Sequence, residues 1–229
     1  FKKVWVQGLI LQLLSILAML PFIIIFYVPY FELVLENSSN GVMDSAALGQ
    51  ELIDAYGSSL FWIYFLMLLT SLVSYVLYLG FYRIVKHIDH GQAFIFSDLF
   101  YFFKAASLGK ALGLAVTYVF ISVLATLLCF LPIIYAIVPL MFLLPVFAYN
   151  PDLSISEIVK VSFALGNKKW GITFLILILN GILLYVIALV TCGLGMLFVS
   201  CFIYLPQYII YKKVIGFDGP KEGVQSIDS

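Results

Sequence analysis

Long apolar runs alternate along this chain with short segments that carry every Asp, Glu, Lys, Arg and His. A bilayer-spanning helix needs about 20 apolar residues. The runs predict spans at about 4–31, 60–82, 111–131, 133–149, 171–190 and 196–211. The first is free of charge from Val4 to Phe31, and Pro21 and Pro29 are expected to kink it or end it early. Between Lys110 and Asp152, forty-one residues pass without a charge. One helix of that length would measure about 60 Å, twice the hydrocarbon thickness. The stretch is therefore read as two spans. The break is placed at Phe130-Leu131-Pro132, because the residue before proline avoids the helical region. Pro139 and Pro145 are expected to kink the fourth span. By the same logic the run from Trp170 to Tyr211 divides at Thr191-Cys192-Gly193-Leu194-Gly195.

Charge fixes the orientation of this map. The loop 32–59 holds Glu32, Glu36, Asp44, Glu51 and Asp54 and no base, while all twelve Lys and Arg residues fall on the other side of the spans. Basic residues stay cytoplasmic during insertion, so both termini, including the tail 219–229, are expected in the cytoplasm and 32–59 outside. Composition agrees. The chain is 64% hydrophobic and 10% charged, with a mean hydropathy of +1.12. Soluble domains average about 45–50% apolar and about 25% charged residues, so this chain has too little polar surface to cover a water-facing exterior. The expected fold is all-α: a polytopic integral membrane protein of the cell inner membrane, with a transmembrane domain over 1–218. The zero formal charge hides a cytoplasmic excess of bases over acids. That excess favours membrane lipids as partners. Nucleic acid is not expected, since the bases are spread over short segments. Cys129, Cys192 and Cys201 are read as small apolar residues, with no disulfide or zinc spacing. The first run is too long for a signal-peptide core and has no small-residue cleavage site, so it is read as a retained helix. The chain opens at Phe1 rather than Met, and a short leading segment is expected ahead of it.

Three connections have patterns of their own. In the outer loop, Leu48, Leu52 and Tyr56 share one face of a short amphipathic helix over 44–56. On the cytoplasmic side, Ser97-Asp98 caps an aromatic segment, and Ser154-Ile155-Ser156-Glu157 is a capping box. Behind the box, Ile155, Ile158, Val159, Ser162 and Phe163 make an apolar stripe. Both are read as amphipathic helices in the inner interface, at about 97–109 and 154–167, with Lys at headgroup depth. Ser97-Asp98 and Ser156-Glu157 lie 59 residues apart. Span two, connection and span three thus repeat as span four, connection and span five.

These two connections also carry a resemblance. Phe96-Ser97-Asp98-Leu99-Phe100-Tyr101-Phe102-Phe103-Lys104 resembles the aromatic segment of a group of uncharacterised bacterial six-span membrane proteins. That group includes proteins similar to the membrane domain of glycerophosphoryl diester phosphodiesterases. The stretch from Asn150 through Glu157 to Phe163 resembles their second signature, and the Gly193-Leu194-Gly195 turn and the exit Tyr208 to Lys213 also fit. The resemblance covers about residues 60 to 218. It implies the six-span fold and an inner-membrane location, and it implies no reaction.

Candidate chemistry is sparse. No charged residue or histidine lies inside a span, which argues against an ion-coupled pump. His87, Asp89 and His90 have metal-ligand types at close spacing, but Arg83 and Lys86 beside them disfavour a cation, and a solvated juxtamembrane face accounts for them. No metal or other cofactor is expected, and no catalytic constellation is visible, so the chain is read as a non-enzyme. Ser71, Ser74, Tyr75, Tyr78 and Tyr82 share a face of span two, and Thr173 and Asn180 share a face of span five. Ser71, Ser74, Tyr75, Tyr78 and Asn180 are the candidate binding face, a polar cavity between spans two and five. Interhelical hydrogen bonding explains the same residues. The leading reading is a non-enzymatic membrane module acting through lipid or a partner protein, which includes a second copy of the chain. The alternative is a transporter or channel for an uncharged or lipidic solute.

Overall fold

The computed structural model describes residues 2–39, 45–128 and 131–217, and these are helical, with no strand among them. The elements are α1 (Lys2–Phe22), a π-helical turn (Ile23–Tyr27), α2 (Val28–Ser39), α3 (Ser45–Tyr56), a 3-10 turn (Gly57–Ser59) and α4 (Leu60–Asp89). A 3-10 helix (Phe96–Phe103), α5 (Ala105–Leu127), α6 (Leu131–Met141), α7 (Leu143–Tyr149), α8 (Ile155–Lys168) and α9 (Trp170–Val190) follow. Last come α10 (Gly195–Val199), a 3-10 turn (Ser200–Ile203) and α11 (Leu205–Val214).

Among the described residues, five helices are long and apolar enough to cross a bilayer: Val4–Glu36, Gly57–Asp89, Ser107–Leu127, Pro132–Tyr149 and Trp170–Val190. They match the first five expected spans. In Trp170–Val190 only 6% of the most apolar window is buried, against 56% in Pro132–Tyr149. A helix apolar all round and exposed all round needs hydrocarbon around it, so this is a membrane protein. The sixth expected span is interrupted. Its 3-10 turn and the turn at Tyr204 separate α10 from α11. Pro206 enters at the start of α11, where its missing N–H is tolerated.

The prolines act differently at each site. Pro21 and Pro29 do not end the first helix. The chain continues through the π-helical turn and stays helical to Ser39, eight residues past the expected end at Phe31. π-Turns are a known way to absorb a lost helical hydrogen bond. Pro145 cannot donate to the carbonyl of Met141, and the helix breaks at Phe142, whose N–H turns back to Pro139 O at 3.1 Å. The expected break between spans three and four includes Phe130. Residues 129 and 130 are outside the described set, and α6 starts at Leu131.

The expected inner connections also differ in detail. Residues 96–103 form a 3-10 helix, and α5 already begins at Ala105, six residues ahead of the expected span. α8 forms with the expected capping box: Glu157 N–H donates to Ser154 Oγ at 3.3 Å, and Ser154 N–H donates to Glu157 Oε2 at 2.8 Å. In the first connection, Ile95 N–H donates to Asp98 Oδ2 at 3.0 Å. The donor pair and the acid pair both keep the 59-residue offset.

The chain divides into two compact units, one of residues 14–74 and one of residues 1–13 with 75–229. In the larger unit, the core is the second half of α4 (Leu79, Phe81, Tyr82 and Ile84), the 3-10 helix (Leu99 and Phe102), α6 and α7 (Val138, Phe142, Val146, Phe147) and α8 (Ile158, Leu165). Two close approaches set it. A Cβ on Gly80 would lie 2.1 Å from Leu99 O, and one on Gly166 would lie 2.7 Å from Pro139 Cα. Each connection is thus pressed onto the preceding helix where one partner has no side chain. Gly80 and Pro139 are themselves 59 residues apart.

Candidate functional site

Among the described residues, a polar cluster, a crevice and a cavity offer the side chains or the space for a function. The first is a polar and aromatic cluster at the basic end of the larger unit. Asp89, at the end of α4, accepts from Tyr208 OH at 2.6 Å and pairs with Lys212 of α11. Asp98 accepts from Arg83 Nε at 3.4 Å, and His87 Nδ1 lies 3.7 Å from its other oxygen. Arg83 also stacks over Tyr101, 3.9 Å from the ring centre, and Lys86 sits 4.7 Å from that of Phe217. Tyr149 OH donates to Tyr82 O at 3.1 Å, and Asn150 Nδ2 donates to Tyr211 OH at 2.7 Å. Each acid here is held by a base on another element or turn. This ties α4, α7 and α11 together and leaves no carboxylate directed at an open cavity. His87, Asp89 and His90 have separate surroundings: His87 Nδ1 lies near Asp98 without a hydrogen bond, Asp89 is held by Lys212 and Tyr208, and His90 meets the carbonyl of Lys86 and the ring of Phe217. Among the described residues no three His, Cys, Asp or Glu side chains gather as a metal site would require.

The second place is a crevice in the larger unit, lined by Met141 of α6, Thr173, Ile176, Leu177 and Asn180 of α9, and Ile203, Pro206 and Gln207 of the broken sixth segment. Thr173 and Gln207 are buried, at 3% and 5% exposure. Thr173 Oγ1 and Gln207 Oε1 have no hydrogen-bond partner. The one-face relation of Thr173 and Asn180 holds, but neither Tyr75 nor Tyr78 lines this crevice. Tyr78 instead stacks on Tyr204, with ring centres 4.4 Å apart. The hydroxyl of Tyr75 is buried without a hydrogen-bond partner. Ser71 and Ser74 belong to the smaller unit, and Ser71 donates to the carbonyl of Met67 at 2.7 Å, one helical turn back. Gln207 escaped sequence reasoning because a lone Gln beside Pro206 reads as the polar end of an apolar run.

The third place is a cavity inside the smaller unit, with a volume of about 530 Å³. It is lined by Phe22, Ile25, Phe26 and Pro29 from the first helix, Tyr56 and Ser59 from the end of the outer segment, and Trp62, Ile63, Phe65 and Leu66 of α4. No charged residue lines it. Tyr56 is fixed by donation of its hydroxyl to Phe26 O at 3.0 Å and by its ring, 5.2 Å from that of Phe26. The hydrogen bond occupies the Tyr56 hydroxyl, and the hydroxyl of Ser59 and the indole N–H of Trp62 are the other polar groups of the lining residues. The size is that of a small-molecule site. The expected helix over 44–56 is α3, and its last residue, Tyr56, closes one side; Asp44 lies outside the described residues.

No family model, no curated protein and no solved structure matches this chain.

Proposed function

We propose that this protein is a non-enzymatic module of the bacterial inner membrane that acts by holding a lipid in the cavity of its smaller unit. The observation that carries the reading is the uncharged, aromatic-lined space of about 530 Å³ between stretches of two helices apolar enough to cross a bilayer. Such helices are bathed in acyl chains, and a mainly apolar wall without charge favours an acyl chain over a polar solute. The reading includes six crossings, the sixth being the interrupted segment 196–211. It also includes cytoplasmic termini, supported by the one-sided distribution of the twelve bases. The segments 96–103 and 155–168 then sit on the inner side. Their basic neighbours and the exposed Ile95 and Phe96 suit a headgroup boundary. The resemblance carried by the aromatic segment and the capping box supports the same location.

Native mass spectrometry of the purified protein tests the reading. The wild type should retain a lipid through detergent exchange. Ile25→Trp and Leu66→Trp, which put bulk into the cavity, should lose it at an unchanged melting temperature. A wild type that retains no lipid, or filled variants that keep it, would sink the proposal.

A further inference from the structure

The crevice beside the broken sixth segment is a second site, independent of the lipid reading. Several hydroxyls on these helices satisfy themselves, while Ser15 and Ser122 have buried hydroxyls without a partner. Thr70, Ser71, Thr117, Thr126, Ser162 and Thr191 each donate to a carbonyl three or four residues back. Thr173 does not, although it is 3% exposed and helical on both sides. Across the crevice, the carbonyl oxygen of Gln207 is equally buried and accepts nothing. Two orphaned polar atoms on facing elements are a costly arrangement in a low-dielectric interior.

The space between them identifies the occupant. It holds room for about one water molecule and is largely enclosed. Asn180 adds one more donor and one more acceptor, and the remaining wall is apolar. No charge lines the site, so an ion would lack a counter-charge, and a cation such as sodium would find too few oxygens. The acceptor on Gln207 demands a donor, and the hydroxyl of Thr173 can give or take. We infer that Thr173, Asn180 and Gln207 form a buried site for a single neutral, hydrogen-donating molecule of water size. That molecule bridges α9 to α11 where the sixth segment loses its regular helix.

A structure at a resolution that reveals waters is the direct test. It should show one ordered molecule within hydrogen-bond distance of both Thr173 Oγ1 and Gln207 Oε1. An empty crevice, or a direct bond between the two side chains, would overturn the site. Thermal melts give an independent sign. Gln207→Met and Thr173→Val remove the orphaned atoms at nearly constant volume. If a bridging molecule is present, each should lower the melting temperature by roughly 2–4 °C. An unchanged or raised melting temperature would mean that the atoms are unbonded in the native protein, and that no such molecule is held there.

Discussion

α4 is one uninterrupted helix with two unlike halves. From Leu60 to Leu69 its large side chains are mostly exposed, with Phe61 at 70% and Trp62 at 67%. From Val76 to Val85 they are mostly buried, with Leu79, Phe81 and Ile84 at 0%. Hydropathy does not separate these halves, since both are apolar. Packing does. The second half meets the backbone of the 3-10 helix at Gly80 and lies among the tyrosines of α7 and the sixth segment. The first half belongs to a unit whose main feature is a cavity. In a water-soluble protein the exposed half would be a liability. In lipid it costs nothing, so apolar composition is free to serve packing in one half and to line a cavity in the other.

Substitutions along α4 should divide at the same point. The largest effect is expected for Gly80→Val. Its Cβ would collide with backbone rather than with a movable side chain, at 2.1 Å from Leu99 O. The folded protein should be lost, at a cost of about 4 kcal/mol or more, read as failure to elute as a single species from size exclusion. Phe81→Ala should come next, destabilising by about 3–5 kcal/mol through the cavity it leaves. Phe61→Ala removes the same group from the exposed half and should change unfolding free energy by no more than about 0.5 kcal/mol. Equal losses at Phe61 and Phe81 would erase the distinction between the halves.

A smaller effect should follow Asn150→Leu. Asn150 is 9% exposed, and its amide donates to Val146 O and Tyr211 OH, at 2.9 and 2.7 Å. Removing it unties α7 from α11 and should cost about 1–3 kcal/mol in a denaturant or thermal series. No stability change is expected for cysteines placed at the exposed Ser58 and Gln92 in a background lacking the three native cysteines. These report orientation. Ser58→Cys should react with an impermeant maleimide added to intact cells and Gln92→Cys should not. The reverse pattern would invert the topology.

The positions of the first five membrane helices were legible from charge-free runs, because each backbone group buried in lipid must be paired within its own helix. Their ends were less so. α4 runs on to Asp89 and α5 starts at Ala105, since helices continue beyond the apolar stretch wherever polar side chains can still reach partners. The stripe read on α8 was half right. Ile158 and Ser162 are buried, but Val161, Leu165 and Gly166 join them in place of Ile155, Val159 and Phe163. In a bilayer the largest apolar side chains can face lipid, and small residues such as Gly166 and Ser162 let helices approach. The same logic hid what lies across from Asn180. Span two offered a row of hydroxyls, but periodicity reports a face and not its neighbour. The polar group in that crevice is Gln207, on a segment whose break no apolar run foretold.

The proposed role rests on occupancy of the cavity beside Trp62. A variant with Trp5 and Trp170 replaced by Phe leaves Trp62 as the one tryptophan. It should be loaded with lipids brominated on the acyl chain, purified, and washed into lipid-free detergent. A second variant, with Trp62 also replaced by Phe and Leu189→Trp on the exposed surface of α9, reports annular lipid. The account predicts that Trp62 fluorescence stays quenched after the wash while that of Leu189→Trp recovers. Recovery of both to the same extent would show that the cavity holds lipid no more firmly than the surface does, and would contradict a lipid-holding function.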